Sequence, residues 1–227
     1  MAGMKSRPAR VPSAMYRTLY RSFGPQRWWP ADSPFEVMVG AILTQNTSWS
    51  NVEKAIARLK RDRALAPEAL LRMRPARLAS LIRPAGYYNI KTARLKNFLR
   101  YFRSAYGLSV PRMARTPAPV LREELLAVSG IGPETADSML LYALRRPVFV
   151  VDAYTIRIAS RHRLIPESAG YDQAQRLFEK SLPRDARLFN EFHALLVRLG
   201  KEYCLKNNPR CRECPLGNNE RYSAPEK

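Results

Sequence analysis

Residues 121–157 read LREELLAVSGIGPETADSMLLYALRRPVFVVDAYTIR. An amphipathic helix runs into Gly130-Ile131-Gly132, a second helix follows from Pro133, and an apolar, strand-like run ends at Asp152. Glycine reaches positive φ at little cost, as a tight turn requires, and Pro133 suits the first position of the second helix. Such a turn aims several backbone N–H groups at one spot, a phosphate site with no side-chain charge in it. Asp152 is a carboxylate that can stabilise developing positive charge, or orient and deprotonate an attacking water. It equally suits the N-cap of a helix over 153–162, and the sequence allows both roles at once.

Two other stretches concentrate chemistry. All three tryptophans, Trp28, Trp29 and Trp49, lie in PQRWWPADSPFEVMVGAILTQNTSW. Indole faces attract flat cationic groups; they are also ordinary core material. The only cysteines are Cys204, Cys211 and Cys214, spaced C-x6-C-x2-C. Zinc held by three cysteines and a carboxylate or water is one reading; free thiols are another. A structural disulfide does not suit an intracellular protein.

The elements that must position these residues are helical. Phe35, Met38, Val39, Ile42 and Leu43 form a buried helical stripe, repeated by Val52, Ile56 and Leu59. Gln45 and Asn46 follow the first stripe as a polar pair. Leu70, Leu78, Leu81 and Ile82 belong to two short helices broken at Pro75, and residues 90–106 form a long basic helix. Pro111, Pro117 and Pro119 mark a loop. Helices near 172–182 and 186–203 precede a polar terminal loop. No β-sheet pattern is present, so the fold class is all-α.

With 39 Lys+Arg against 19 Asp+Glu, the net charge is +20, which makes a polyanion the natural partner. Lys91, Arg94, Lys96, Arg100 and Arg103 suggest a folded basic face, though a solvated surface of an Arg-rich protein reads the same way. Apolar residues make up 46%, a globular share. No apolar run approaches the roughly 20 residues of a membrane span, and the basic N-terminus lacks the apolar core of a secretory signal. A cytoplasmic, nucleoid-associated monomer is expected, with no membrane partner.

The order helix, Gly-Ile-Gly, Pro, helix, apolar run, Asp resembles the helix-hairpin-helix "GPD" signature of the endonuclease III superfamily of DNA glycosylases. WWP, TQNTSW, GIGPETAD, PAGYYNIKTARL and VVDAY resemble its Helicobacter-type 3-methyladenine glycosylase branch. The resemblance implies a two-lobed fold. A helical barrel at about 36–146, with the hairpin at about 122–145, would be inserted into a domain made of 1–35 and 147–227, with the catalytic cleft between. It implies a catalytic Asp152, and a base pocket of Trp28, Trp29, Pro30 and Trp49 with Lys201 and Tyr154 as weaker members. Gln45 would fill the gap left by a flipped base, beside Asn46. The hairpin residues Gly130, Ile131 and Gly132, with Thr135, would meet double-stranded DNA.

Bifunctional members carry a lysine nucleophile where this chain has Glu134. Without an amine there, no Schiff base forms at this position, which implies a monofunctional glycosylase of base-excision repair. Glu134 either lines the pocket and favours a cationic base or simply occupies a helix first turn. A flipped alkylated purine such as 3-methyladenine is cationic and suits indole stacking. The family also has a fourth cysteine completing a [4Fe–4S] loop over 204–220; here that position is Glu220, so an oxygen or external ligand would have to complete it. Alternatives are a mismatch or endonuclease III-like glycosylase/lyase, and a non-catalytic DNA-binding module.

Overall fold

Prolines start much of this fold. The computed structural model describes residues 7–217 and Tyr222. Among the described residues the regular elements are helices: α1 (Arg7–Phe23), α2 (Pro34–Leu43), α3 (Trp49–Arg61), α4 (Pro67–Arg72), α5 (Pro75–Ile82), α6 (Tyr88–Tyr106), α7 (Val110–Met113), α8 (Ala118–Leu126), α9 (Pro133–Ser138), α10 (Ala153–Arg161), α11 (Tyr171–Ser181) and α12 (Ala186–Glu202). In α2, α4, α5, α7, α8 and α9 a proline stands at the first or second helical position. A first-turn N–H has no intrahelical partner, so proline loses nothing there and brings a helical φ. For the same reason the loop expected around Pro111, Pro117 and Pro119 is instead the starts of α7 and α8. The sequence patterning left α1 unassigned: its Arg-rich start and internal Pro12 obscure a buried stripe of Val11, Met15 and Leu19.

The chain divides into two compact units. One runs from Trp29 to Arg146; the other joins the segment ending at Trp28 to the segment starting at Pro147. The first begins before residue 36 because Trp29 packs on α2 at Gly40, where an added Cβ would lie 3.2 Å from the indole Cζ2. Its core holds nearly the whole of α2 with Phe98 and Phe102 of α6, stacked 5.6 Å apart.

The core of the second unit gathers Phe149, Phe178, Phe189 and Phe192; the rings of Phe149 and Phe178 stack at 4.5 Å. Phe149, Val150 and Val151 are buried, yet among the described residues this strand-like run pairs with no strand. Side chains of α11 satisfy its backbone instead. Glu179 Oε1 accepts from Phe149 N at 2.9 Å, Gln175 Nε2 donates to Phe149 O at 2.8 Å, and the Tyr171 hydroxyl accepts from Val151 N at 3.4 Å. That arrangement delivers Asp152 to the start of α10.

The basic face expected on α6 needs correction. Arg100 and Arg103 are exposed, but Lys91 and Lys96 are buried. Lys91 Nζ donates to Leu43 O and Ala85 O at 2.8 and 2.7 Å. Lys96 Nζ donates to Leu70 O and Leu71 O at 2.7 and 2.9 Å, and to Met73 O. Each ammonium closes the carbonyl end of a helix, where the macrodipole favours a cation. Burial, then the charge of Arg94, lowers the Lys91 pKa to about 8.

Candidate functional site

Asp152 is the N-cap of α10. Its Oδ1 accepts from Thr155 N at 2.7 Å and from the Thr155 hydroxyl at 2.8 Å. Its Oδ2 lies 3.6 Å from Nε2 of His193, on α12. The Asp152 side chain is 12% exposed and that of His193 7%. Burial pushes the Asp152 carboxyl up, but His193 and the two Thr155 donors pull harder, and the net shift is below the ordinary carboxylate value. The result is a fixed carboxylate with one oxygen committed to the helix cap and the other beside an imidazole. The patterning above did not single out His193, although it is one of only two histidines in the chain and interrupts an apolar helix face.

Gly130 adopts φ 94°, as the hairpin turn requires. It has a second constraint: a Cβ there would lie 2.3 Å from Arg94 Cγ. Ile131 is buried and its N–H donates to Val128 O at 2.9 Å. Gly132 caps α9 without a side chain. Thr135 is buried, and Glu134 is exposed in the first turn of α9. The two hairpin helices are joined by a bidentate pair: Arg122 Nε and Nη2 donate to the Asp137 oxygens at 2.7 and 3.1 Å, and Asp137 is fully buried. Gln45 is tied to this hairpin. Its Nε2 donates to Gly130 O at 3.0 Å and to Thr135 Oγ1 at 2.9 Å, while Arg94 Nη1 donates to its Oε1 at 2.5 Å. Asn46 follows in the left-handed region, φ 53°, exposed to solvent.

Trp29 and Trp49 meet edge to face, with centroids 4.7 Å apart. Tyr142 also packs on Trp29, with ring centroids 5.1 Å apart. Tyr142 belongs to the π-helical turn Met139–Ala143 that extends α9, a distortion that hydrophobic periodicity does not reveal. Trp29, Pro30 and Trp49 line a cavity of about 220 Å³ together with Glu36, Glu53 and Lys60. Glu36 is buried and paired with Lys60 at 2.7 Å. Trp28, half-buried, falls in the other unit.

A family model described as "HhH-GPD superfamily base excision DNA repair protein" matches residues 39–184. The chain belongs to this superfamily. It is 47% identical to a candidate DNA repair glycosylase of Methanocaldococcus jannaschii, over 94% of this chain and 97% of that protein. It is 30% identical to endonuclease III of Thermotoga maritima, over 82% of this chain and 81% of that one. Among solved structures, H. pylori 3-methyladenine DNA glycosylase bound to 1,N6-ethenoadenine matches with a TM-score of 0.74 and 28% identity, covering 86% of this chain and 97% of that chain. These likenesses support the Helicobacter-type branch of the HhH-GPD superfamily.

Two further expected site residues lie on or beside α10 and α12. Tyr154 packs on Gly200, where a Cβ would lie 2.4 Å from its Cδ1, and the Arg157 guanidinium covers its ring at 5.0 Å. Lys201 is exposed and borders a separate polar hollow of about 300 Å³ with Tyr203, Arg210 and Glu213.

The cysteine loop is held by arginines of this HhH-GPD chain. Arg157 donates to Cys204 O and Gly200 O at 2.8 and 3.1 Å; Arg161 donates to Leu205 O and Lys206 O at 2.7 and 2.9 Å, and to Cys204 Sγ at 3.3 Å. None of the three cysteines is in a disulfide, and burial pushes the Cys214 thiol up. Glu220 lies outside the described residues. Among the described residues no three Cys, His, Asp or Glu side chains come together as metal ligands. With three cysteines in the chain, the donor set does not fit a four-thiolate cluster. No helix of the described residues is long and apolar enough to cross a membrane.

Proposed function

We propose that this HhH-GPD protein is a monofunctional DNA glycosylase that releases alkylated purines, such as 3-methyladenine, by hydrolysis. The observation that carries the reaction is the Asp152 cradle. Hydrolysis of an N-glycosidic bond builds positive charge on the sugar. A carboxylate held ionised by Thr155 and His193 stabilises that charge without reorganising, and can orient the attacking water. The base leaves with its bonding electrons and water supplies the new C–O bond to the sugar. A base that is already cationic is a good leaving group, so no strong general acid is required.

The substrate class rests on the aromatic cavity. Trp29 and Trp49 offer indole surface to a flat cation, and Glu53 adds negative charge to a lining in which Lys60 is paired with Glu36. The volume is below the roughly 300–1,000 Å³ of drug-sized sites, a scale that suits a single base. The similarity to a 3-methyladenine glycosylase bound to 1,N6-ethenoadenine points the same way. Glu134, in place of an amine, supports hydrolysis without strand cleavage. The hairpin 130–132 would meet the phosphates of duplex DNA, Gln45 and Asn46 the gap left by the flipped base, and Lys201, Tyr154 and Trp28 remain candidate base contacts. The protein would act as an intracellular monomer.

The deciding experiment is mass spectrometry of bases released from methylated duplex DNA. Free 3-methyladenine, with no borohydride-trappable adduct and no nick, is the expected result. Release only of uracil or mismatched thymine from control duplexes would replace the substrate class. A trapped adduct would overturn the monofunctional assignment, and no release from any duplex would leave a DNA-binding module.

A further inference from the structure

The Gln45 side chain is fully engaged before any DNA arrives. Both of its amide N–H bonds go to the hairpin, to Gly130 O and Thr135 Oγ1, and its oxygen takes the Arg94 guanidinium. An amide held at three points cannot at the same time stack in a duplex. Its use there needs a second state in which these bonds are exchanged. Arg94 is built for such an exchange. Its stem lies against Gly130, in the space a Cβ would fill, so the guanidinium stays beside the hairpin backbone when Gln45 leaves. Its acceptor in the docked state is a neutral amide, not a carboxylate. The buried Lys91 ammonium, one turn earlier on α6, adds like charge close by. A cation with a neutral acceptor and a cationic neighbour gains by taking an anion.

We propose that Arg94 is a positioning residue that holds Gln45 docked on the hairpin in the DNA-free protein, and that it trades the Gln45 oxygen for a DNA phosphate oxygen, releasing the amide. This rests on the glycosylase reading above for what Gln45 does once released. It assigns a role to the Arg94–Gly130 contact as well: the glycine is required both for its turn and for the path of the arginine stem. Residues Arg94, Gln45, Gly130 and Thr135 then form one switch that ties phosphate contact to amide release.

The test measures binding to a duplex carrying a stable abasic-site analogue, as a function of salt, for wild type, Arg94→Met, Arg94→Lys and Gln45→Ala. Arg94→Met keeps the apolar stem. It should lower the slope of log K against log[salt] by about one phosphate's worth, the loss expected for removing one cation–phosphate contact. Arg94→Lys should restore the slope, and Gln45→Ala should leave it unchanged while weakening the complex. In stopped-flow with 2-aminopurine beside the lesion, Arg94→Met should remove the salt dependence of the insertion step. An unchanged slope in a folded Arg94→Met protein overturns the exchange, and a lower melting temperature with an unchanged slope makes the contact structural only. Base release by wild type is followed in parallel. Its absence would sink the glycosylase reading, while the slope comparison would still decide whether Arg94 meets phosphate.

Discussion

Asp137 and Asp152 stand fifteen residues apart in one motif, and the two units of the chain use them differently. Asp137, in the hairpin, has both oxygens on one guanidinium and no exposure. Asp152, in the other unit, commits Oδ1 to Thr155, while Oδ2 faces His193 at 3.6 Å and the side chain keeps 12% exposure. A carboxylate whose acceptor sites are filled in a rigid fork holds two helices together. A carboxylate with one oxygen held and one still able to approach a ligand can do chemistry. The distinction lies in the partners, not in the residue type.

Breaking the structural carboxylate should have the largest effect. Asp137→Ala removes the fully buried half of the pair that joins the hairpin helices, whose Arg122 side is 25% exposed, and urea unfolding should show a loss of about 3 kcal/mol, the low end for a buried pair. Asp152→Asn should instead leave the fold intact, because the amide oxygen can still cap Thr155. Single-turnover base release should fall by roughly 100- to 1,000-fold, with binding to abasic-site DNA retained. Equal loss of stability in both variants would erase the contrast.

The buried cation of the hairpin unit sharpens it further. Lys91→Met strips Leu43 O and Ala85 O of their donor, and should cost about 1–3 kcal/mol at neutral pH. Its pH dependence has a definite sign. The Lys91 pKa is about 8 in the fold against 10.5 when unperturbed, so the unfolded chain holds this proton more tightly. The penalty of burying the charge is present below pH 8 and is relieved as pH rises from about 8 to 10.5, so wild type should gain on Lys91→Met across that window. Paired denaturation curves at the two ends would show it.

The smallest effect belongs to His193. His193→Gln removes the imidazole that helps hold Asp152 ionised. The Asp152 pKa should rise, and the acid limb of the pH–rate profile should move to higher pH. A shift of about one unit means about tenfold lower activity on that limb, with the alkaline side little changed. An unmoved acid limb would mean that Thr155 alone sets the carboxylate.

Much of this was legible in the residues. The stripes of α2, α3 and α6 follow from apolar spacing, and the hairpin from Gly130, Gly132 and Pro133, because helix periodicity and turn sterics are local properties. Asp152 as an N-cap was readable for the same reason. The prolines misled around 111–119, since a first-turn proline and a loop proline look alike in sequence. Lys91 and Lys96 misled too: charge suggests a solvated face, and only the carbonyl ends of other helices make their burial tolerable. His193 beside Asp152, Arg94 on Gln45 and Gly130, Tyr142 on Trp29 in a π-turn, and the split between Asp137 and Asp152 each join residues distant in the chain. The sequence by itself determined the helices, the turn and the residue types able to do chemistry. The tertiary structure decided which carboxylate is locked and which keeps an oxygen near an imidazole, because that depends on partners brought in from other helices by packing.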